Sequence, residues 1–275
     1  MRHHLALSSS DESAGFIEIE TQPDGTEILR PTSLCRGPWD PDSCHAGPPN
    51  SAIARAAEQA LPDLRLVRLT TEIMKPIPLA GFTLTATVTK PGRTVATSRI
   101  ELRDLDDVLI AVGHSAHLTS RTPQPDIPTI ASDSIPLEAS TPGPFVFDTT
   151  RHGLVGFMDG VETRYPEGHD NSTGPTSIWL RSVSIFTNAP SSGFQQICPL
   201  ADCGNAISRN GEPVDFGFMN TDLSIHLHRE PIGEWFRSEA TSHWSPDGIG
   251  MADALLFDEQ GPVGRAVQSL VISPM

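Results

Sequence analysis

The sequence has no apolar run approaching the roughly 18 residues of a membrane-spanning helix. It also has no block of lysines and arginines. Its 19 basic residues are scattered among 34 acidic ones, giving a formal charge of −15. Nucleic acid and anionic membranes are bound through clustered positive charge, so neither is expected as a partner. A small anionic ligand stays open, because it needs only a local basic patch or a helix N-terminus. The opening MRHHLALSSSDES has too short an apolar stretch for a secretory signal, and the expected compartment is the cytoplasm. Cysteine is sparse: Cys35, Cys44, Cys198 and Cys203. Even with His45 beside Cys44, their spacing fits no common zinc pattern, so reduced, mostly buried thiols are expected and no metal or other cofactor. There is no G-x-S-x-G elbow and no Ser-His-Asp pattern, so no covalent acyl-enzyme is expected.

A chain of 275 residues is long for one ordinary domain and suits two. Residues 119–144 carry six prolines and few large apolar groups, which predicts a linker between an N-terminal unit, 1–118, and a C-terminal unit, 145–275. The two units read alike. Each opens on a strand pattern around a turn, GFIEIETQPDGTEILRP and GLVGFMDGVETRYPEG. Each then has a helix rich in small residues: PPNSAIARAAEQAL, starting at Asn50 or Ser51 behind Pro48-Pro49, and QQICPLADCGNAIS. Each closes on long alternating strands. A shift of 154 residues lays LTTEIMKPIP on LSIHLHREPI and Ser51-Ala52-Ile53 on Asn205-Ala206-Ile207, and brings AVGHSAHL beside AVQSLVIS. This predicts a duplicated domain.

Three polar residues of the second unit fall at positions that otherwise read as core. Asp202 sits in an apolar helix. Thr221 shares a strand face with Leu223, Ile225 and Leu227, and Gln268 shares one with Ala266, Leu270 and Ile272. Burying a carboxylate is costly unless it is paired, hydrogen-bonded or used. Taken singly, each is better read as a structural group that fixes helix to sheet. At the 154-residue shift, however, Asp202 falls on Pro48, Thr221 on Val67 and Gln268 on His114. A network needed by the fold alone would appear in both copies, and here it is largely confined to one. His114, on the face of Ile110, Val112 and Ala116, reads first as a core histidine and second as a substrate-binding group.

The stretches HAGPPNSAIARAAEQ and NTDLSIHLHREPIGEWFRSEATSHWSPDGIGMADALLFDEQGPVGRAVQSLVISP resemble the double hotdog acyl-CoA thioesterases typified by bacterial thioesterase II. The resemblance covers nearly the whole chain outside the linker and the extreme N-terminus. It implies an α+β fold of two tandem units, each a central helix wrapped by an antiparallel sheet. It also implies hydrolysis of an acyl-CoA, with Asp202 activating water that Thr221 and Gln268 hold. His45, Gly47, Asn50, Gly204 and Asn205 are implied as substrate-binding or oxyanion groups. Where that family often has His-Gly-Gly, this chain has His45-Ala46-Gly47 followed by two prolines. These remove two backbone donors and leave Ala46, Gly47 and Asn50. The hydrophilic RYPEGHDNSTGPTS predicts a small acyl pocket or one that accepts a polar chain. Exposed sheet edges make a homo-oligomer plausible. Two other readings stay open: a hotdog hydratase or dehydratase, whose Asp-His run is incomplete here, and a non-catalytic acyl-CoA-binding or scaffold protein.

Overall fold

The computed structural model describes residues 14–122, 127–129, 135–147 and 152–275. The N-terminal segment on which the secretion reading rests lies outside the described residues, as does part of the expected linker. The first half runs β1 (Gly15–Thr21), β2 (Glu27–Pro31), α1 (Gly47–Ala60), β3 (Arg65–Ile73), β4 (Phe82–Lys90), β5 (Val95–Asp104) and β6 (Leu109–Leu118). The second runs β7 (Ser140–Pro142), β8 (Val161–Pro166), β9 (Thr176–Ser182), β10 (Ser184–Phe186), α2 (Gly193–Ala201), α3 (Gly204–Ile207), β11 (Phe216–Asn220) and β12 (Asp222–Leu227). It closes on β13 (Phe236–Trp244), β14 (Ile249–Asp258) and β15 (Gly261–Pro274). The stretch GLVGFMDGVETRYPEG, read as a strand pattern around a turn, forms a 3-10 turn, Phe157–Gly160, and one strand, β8, which pairs with β7.

The strands join one sheet that wraps both helices: the double hotdog. Alternation drives it. In β12, Leu223, Ile225 and Leu227 are buried and the residues between them are not. The halves meet where β3 pairs antiparallel with β12, and a short parallel pairing of β1 with β10 joins them again.

The expected duplication is legible in the strands. β4 and β13 run from Phe82 to Lys90 and from Phe236 to Trp244, 154 residues apart at both ends. β5 and β14 keep the same spacing. At the seam, Thr70 pairs with Ser224, its own counterpart at that spacing, and the two hydroxyls bond at 3.0 Å. That pair marks the pseudo-two-fold axis.

The spacing fails elsewhere. The long helices begin at Gly47 and Gly193, only 146 residues apart, so the expected match of Ser51 to Asn205 does not hold. The extra length of the second half lies between α3 and β12. The last strands are displaced by one residue in the same direction. Thr70 pairs with His114, whereas Ser224 pairs with Val267. Gln268 thus corresponds to Ser115, not His114.

Helix α1 begins at Gly47, earlier than expected. Pro48 and Pro49 lie inside its first turn, where a missing N–H costs nothing. A Cβ on Gly47 would stand 2.8 Å from Pro199 Cα, so glycine lets α1 and α2 approach. The second helix, expected to be continuous, breaks at Asp202–Cys203. Pro199 sits inside α2 and cannot donate to the carbonyl of Gln195, four residues back. Ser51 of α1 donates to that carbonyl instead, at 2.7 Å. A proline defect in one helix is thereby filled by a serine of its twin.

Candidate active site

Asp202 caps α2 at the helix break, 4% exposed, where the C-terminus of α2 meets the N-terminus of α1. Its Oδ1 accepts from Asn220 Nδ2 at 2.9 Å and from Gln268 Nε2 at 3.3 Å. Gln268 Nε2 also donates to the Asp202 carbonyl at 3.1 Å. Oδ2 lies 3.1 Å from His45 Nδ1. The backbone N–H groups of Gly47 and Ala46 face the carboxylate as well. Gly47 N–H stands 3.1 Å from His45 Nδ1, so it lies between the two side chains.

Burial pushes Asp202 up to about 7, against the pull of Asn220, Gly47, Gln268 and Ala46. Burial also drives His45 down to about 3, so its ring is neutral at physiological pH. That ring stacks on Phe157 with centroids 3.9 Å apart. Gly47 N–H donates to His45 Nδ1, so this nitrogen accepts and the neutral ring carries its proton on Nε2.

The structure brings together Asp202, Gln268 and His45, but not Thr221. Thr221 is exposed at the pocket wall, and its hydroxyl donates to Ser269 O at 3.4 Å. The cause is a register shift. β11 and β12 both pair with β15, yet Asn220 faces Leu270 while Ser224 faces Val267, one residue out of step. This bulge resets the alternation, turning Asn220 inward and Thr221 outward. Counting back from Leu223 by twos therefore picks the wrong neighbour.

The binding candidates divide. Gly204 makes room for Gln268, whose Oε1 would lie 3.1 Å from a Cβ there. Asn205 lines the pocket, but its N–H is held by Gln268 Oε1 at 3.1 Å. Asn50 is turned away from substrate: its N–H and Nδ2 both donate to Ala46 O. His114 is misplaced by the expectation. Its neighbour Gly113 is the residue that abuts Ile53 of α1, so His114 lies on the opposite, outer face of the sheet. The histidine facing the core is His117, bonded to Ser115 at 3.0 Å, with Ser115 on Ser98 at 2.6 Å.

The first half also holds a carboxylate in the matching place, which the comparison with Pro48 misses. Glu58, in the last turn of α1, meets the N-terminus of α2. It accepts from Ser192 Oγ at 2.9 Å and Gln195 Nε2 at 2.5 Å. Both helix junctions thus carry an acid, as the positive end of a helix favours. Only the Asp202 junction pairs it with a histidine.

Asp202 opens onto a cavity of about 400 Å³. Trp39, Phe145, Phe147, Phe157 and Phe218 form its walls, with Trp39 edge-on to Phe147 at 5.5 Å and to Phe218 at 5.2 Å. The hydrophilic RYPEGHDNSTGPTS contributes none of the wall, so the segment from which a small pocket or one for a polar chain was expected does not shape this aromatic cavity. All four cysteines are free.

A helix-wrapping sheet repeated about a pseudo-two-fold axis, with one polar cluster at a helix junction, defines a double hotdog protein. Residues 35–119 match the acyl-CoA thioesterase N-terminal domain and residues 132–272 the C-terminal domain. The chain belongs to the acyl-CoA thioesterase family. Similar solved structures include a provisionally assigned thioesterase of Novosphingobium aromaticivorans, 18% identical (TM-score 0.72; 92% of this chain and 97% of that one). A provisionally assigned thioesterase II of Thermobifida fusca is 17% identical (TM-score 0.71; 93% and 95%). A hot dog protein of unknown function from Alicyclobacillus acidocaldarius is 14% identical (TM-score 0.68; 98% and 99%). No curated protein matches the sequence.

Proposed function

We propose that the chain hydrolyses an acyl-CoA thioester, with Asp202 as general base. The observation that carries this is a buried carboxylate, held at about 7, at the wall of an aromatic pocket. A base near the working pH is the efficient choice. His45 is the competing base, but at about 3 it is far weaker. Its part is to close one side of the pocket with its ring. An ionised carboxylate offers about four acceptor sites. Gln268 makes the longest of the side-chain contacts to Asp202, and its Nε2 keeps the Asp202 carbonyl as a second partner. A water can therefore replace it on Oδ1. That water attacks the thioester carbon, its proton passes to Asp202, and the thiolate leaves without a strong acid. Asn220 Nδ2 steadies the carboxylate while it changes charge.

The test is turnover of a panel of acyl-CoAs by the wild type and Asp202→Asn. The substitution should lower the rate by roughly two to four orders of magnitude. The wild-type profile should rise through an apparent pKa near 7, as the carboxylate ionises. Unchanged turnover in the variant would remove Asp202 from the chemistry. Binding without turnover in the wild type would favour the non-catalytic reading.

A further inference from the structure

The outer face of the sheet carries a feature that the helix-junction site does not explain. Arg68 on β3 lies directly across from His226 on β12, and His226 directly across from Arg265 on β15. Here two arginines flank a histidine in one cross-strand row, in a chain with a formal charge of −15. Arg65 and His228 add to the polar lining of a groove of about 660 Å³, which Val67, Leu118, Leu227, Leu255, Pro262 and Gly264 share and to which no Asp or Glu contributes. Arg68 makes no hydrogen bond or ion pair among the described residues, and its Nε is buried without an acceptor. The nearest approach of a carboxylate is Asp253, 3.9 Å from Arg265 and shared with His243. Burial and the Arg68 charge hold His226 below the usual histidine range, leaving it as a neutral hydrogen-bond group between two fixed cations.

We infer that this groove binds a phosphate-bearing anion. A guanidinium pairs bidentately with phosphate oxygens. An anion seated between Arg68 and Arg265 would face two guanidinium groups on either side of the neutral His226 ring. Two sources share this chemistry. One is the nucleotide end of a CoA thioester, which rests on the proposed function; the other is a free phosphorylated metabolite. The first has a geometric basis. The cavity mouth at Met74 and Thr221 and the groove at Arg68 and His226 lie on the same paired strands, about six residues apart. That is a span of roughly 20 Å, which a long flexible substrate arm can cross.

The experiment titrates inorganic pyrophosphate into the full chain at low salt, by calorimetry, for the wild type and the double variant Arg68→Gln/Arg265→Gln. The wild type should bind and melt higher with pyrophosphate, and the variant should bind at least tenfold more weakly. Equal binding by both proteins, or none by the wild type, overturns the inference. The source follows from KM values for an acyl-CoA and the same acyl group on pantetheine alone. A rise confined to the CoA substrate assigns the groove to the nucleotide end. Unchanged KM values with lost pyrophosphate binding assign it to a free metabolite. The binding arm needs no turnover, so a chain that hydrolyses no thioester still decides the groove.

Discussion

Asp202 and His45 titrate in opposite senses. Asp202 is raised to about 7, so between about pH 4 and pH 7 the folded chain keeps a proton that the unfolded chain has released. Its contribution to stability is full below about pH 4 and lost as pH rises through 7, on the order of 4 kcal/mol. His45 is lowered to about 3, so its contribution is present above about pH 6.5 and lost as pH falls. The slopes oppose each other in the acid range, and Asp202 alone governs the alkaline side. Asp202→Asn should therefore melt higher than the wild type at pH 8 and converge with it at pH 5. A variant melting lower at both pH values would mean that the charge itself organises the junction. Asn220 and Thr221 offer a sharper contrast. Asn220 holds Oδ1 at 2.9 Å and favours the ionised form, so Asn220→Ala should move the rate profile to higher pH. It should also cut turnover by about tenfold or more. Thr221→Ala, which removes a hydroxyl bonded to Ser269 O and not to Asp202, should leave the profile in place. A shift with the threonine variant and none with the asparagine one would reverse the assignment.

Among the elements, the two central helices depend on each other through Ser51 and Pro199. Ser51→Ala would leave the buried Gln195 carbonyl without its 2.7 Å donor. The expected loss is about 1–3 kcal/mol, the usual cost of an unsatisfied buried group. Urea unfolding measures it. Pro199→Ala restores the N–H that Gln195 O lacks, so the double variant should recover part of that loss. Additive losses would mean that the two positions are not coupled. The β11–β12 bulge is the other decisive element, because one residue of slip chooses between Asn220 and Thr221 as the partner of Asp202.

For the whole molecule, the sheet runs unbroken across the seam between β3 and β12, and α1 packs on α2 beneath it. Neither half closes its core without the other. Heat should unfold the protein in one transition, with near- and far-ultraviolet circular dichroism falling together. Two resolved transitions would show halves that stand alone. No helix among the described residues is long and apolar enough to cross a membrane.

The sequence by itself determined the duplication, because side-chain alternation repeats at one spacing through β3, β4 and β5 and their counterparts β12, β13 and β14. It also singled out Asp202 and Gln268 as polar groups on core-facing positions. Tertiary structure decided what periodicity cannot carry. A bulge shifts faces by one residue, which put Asn220 rather than Thr221 on Asp202, and which face of β6 meets α1 put His114 on the outer side. Only the packing of one helix end on the other brought His45 to Asp202 across 157 positions of chain. A strand pattern records which residues are buried, whereas a site is made by which buried residues meet. That depends on register and helix crossing, neither of which local sequence fixes.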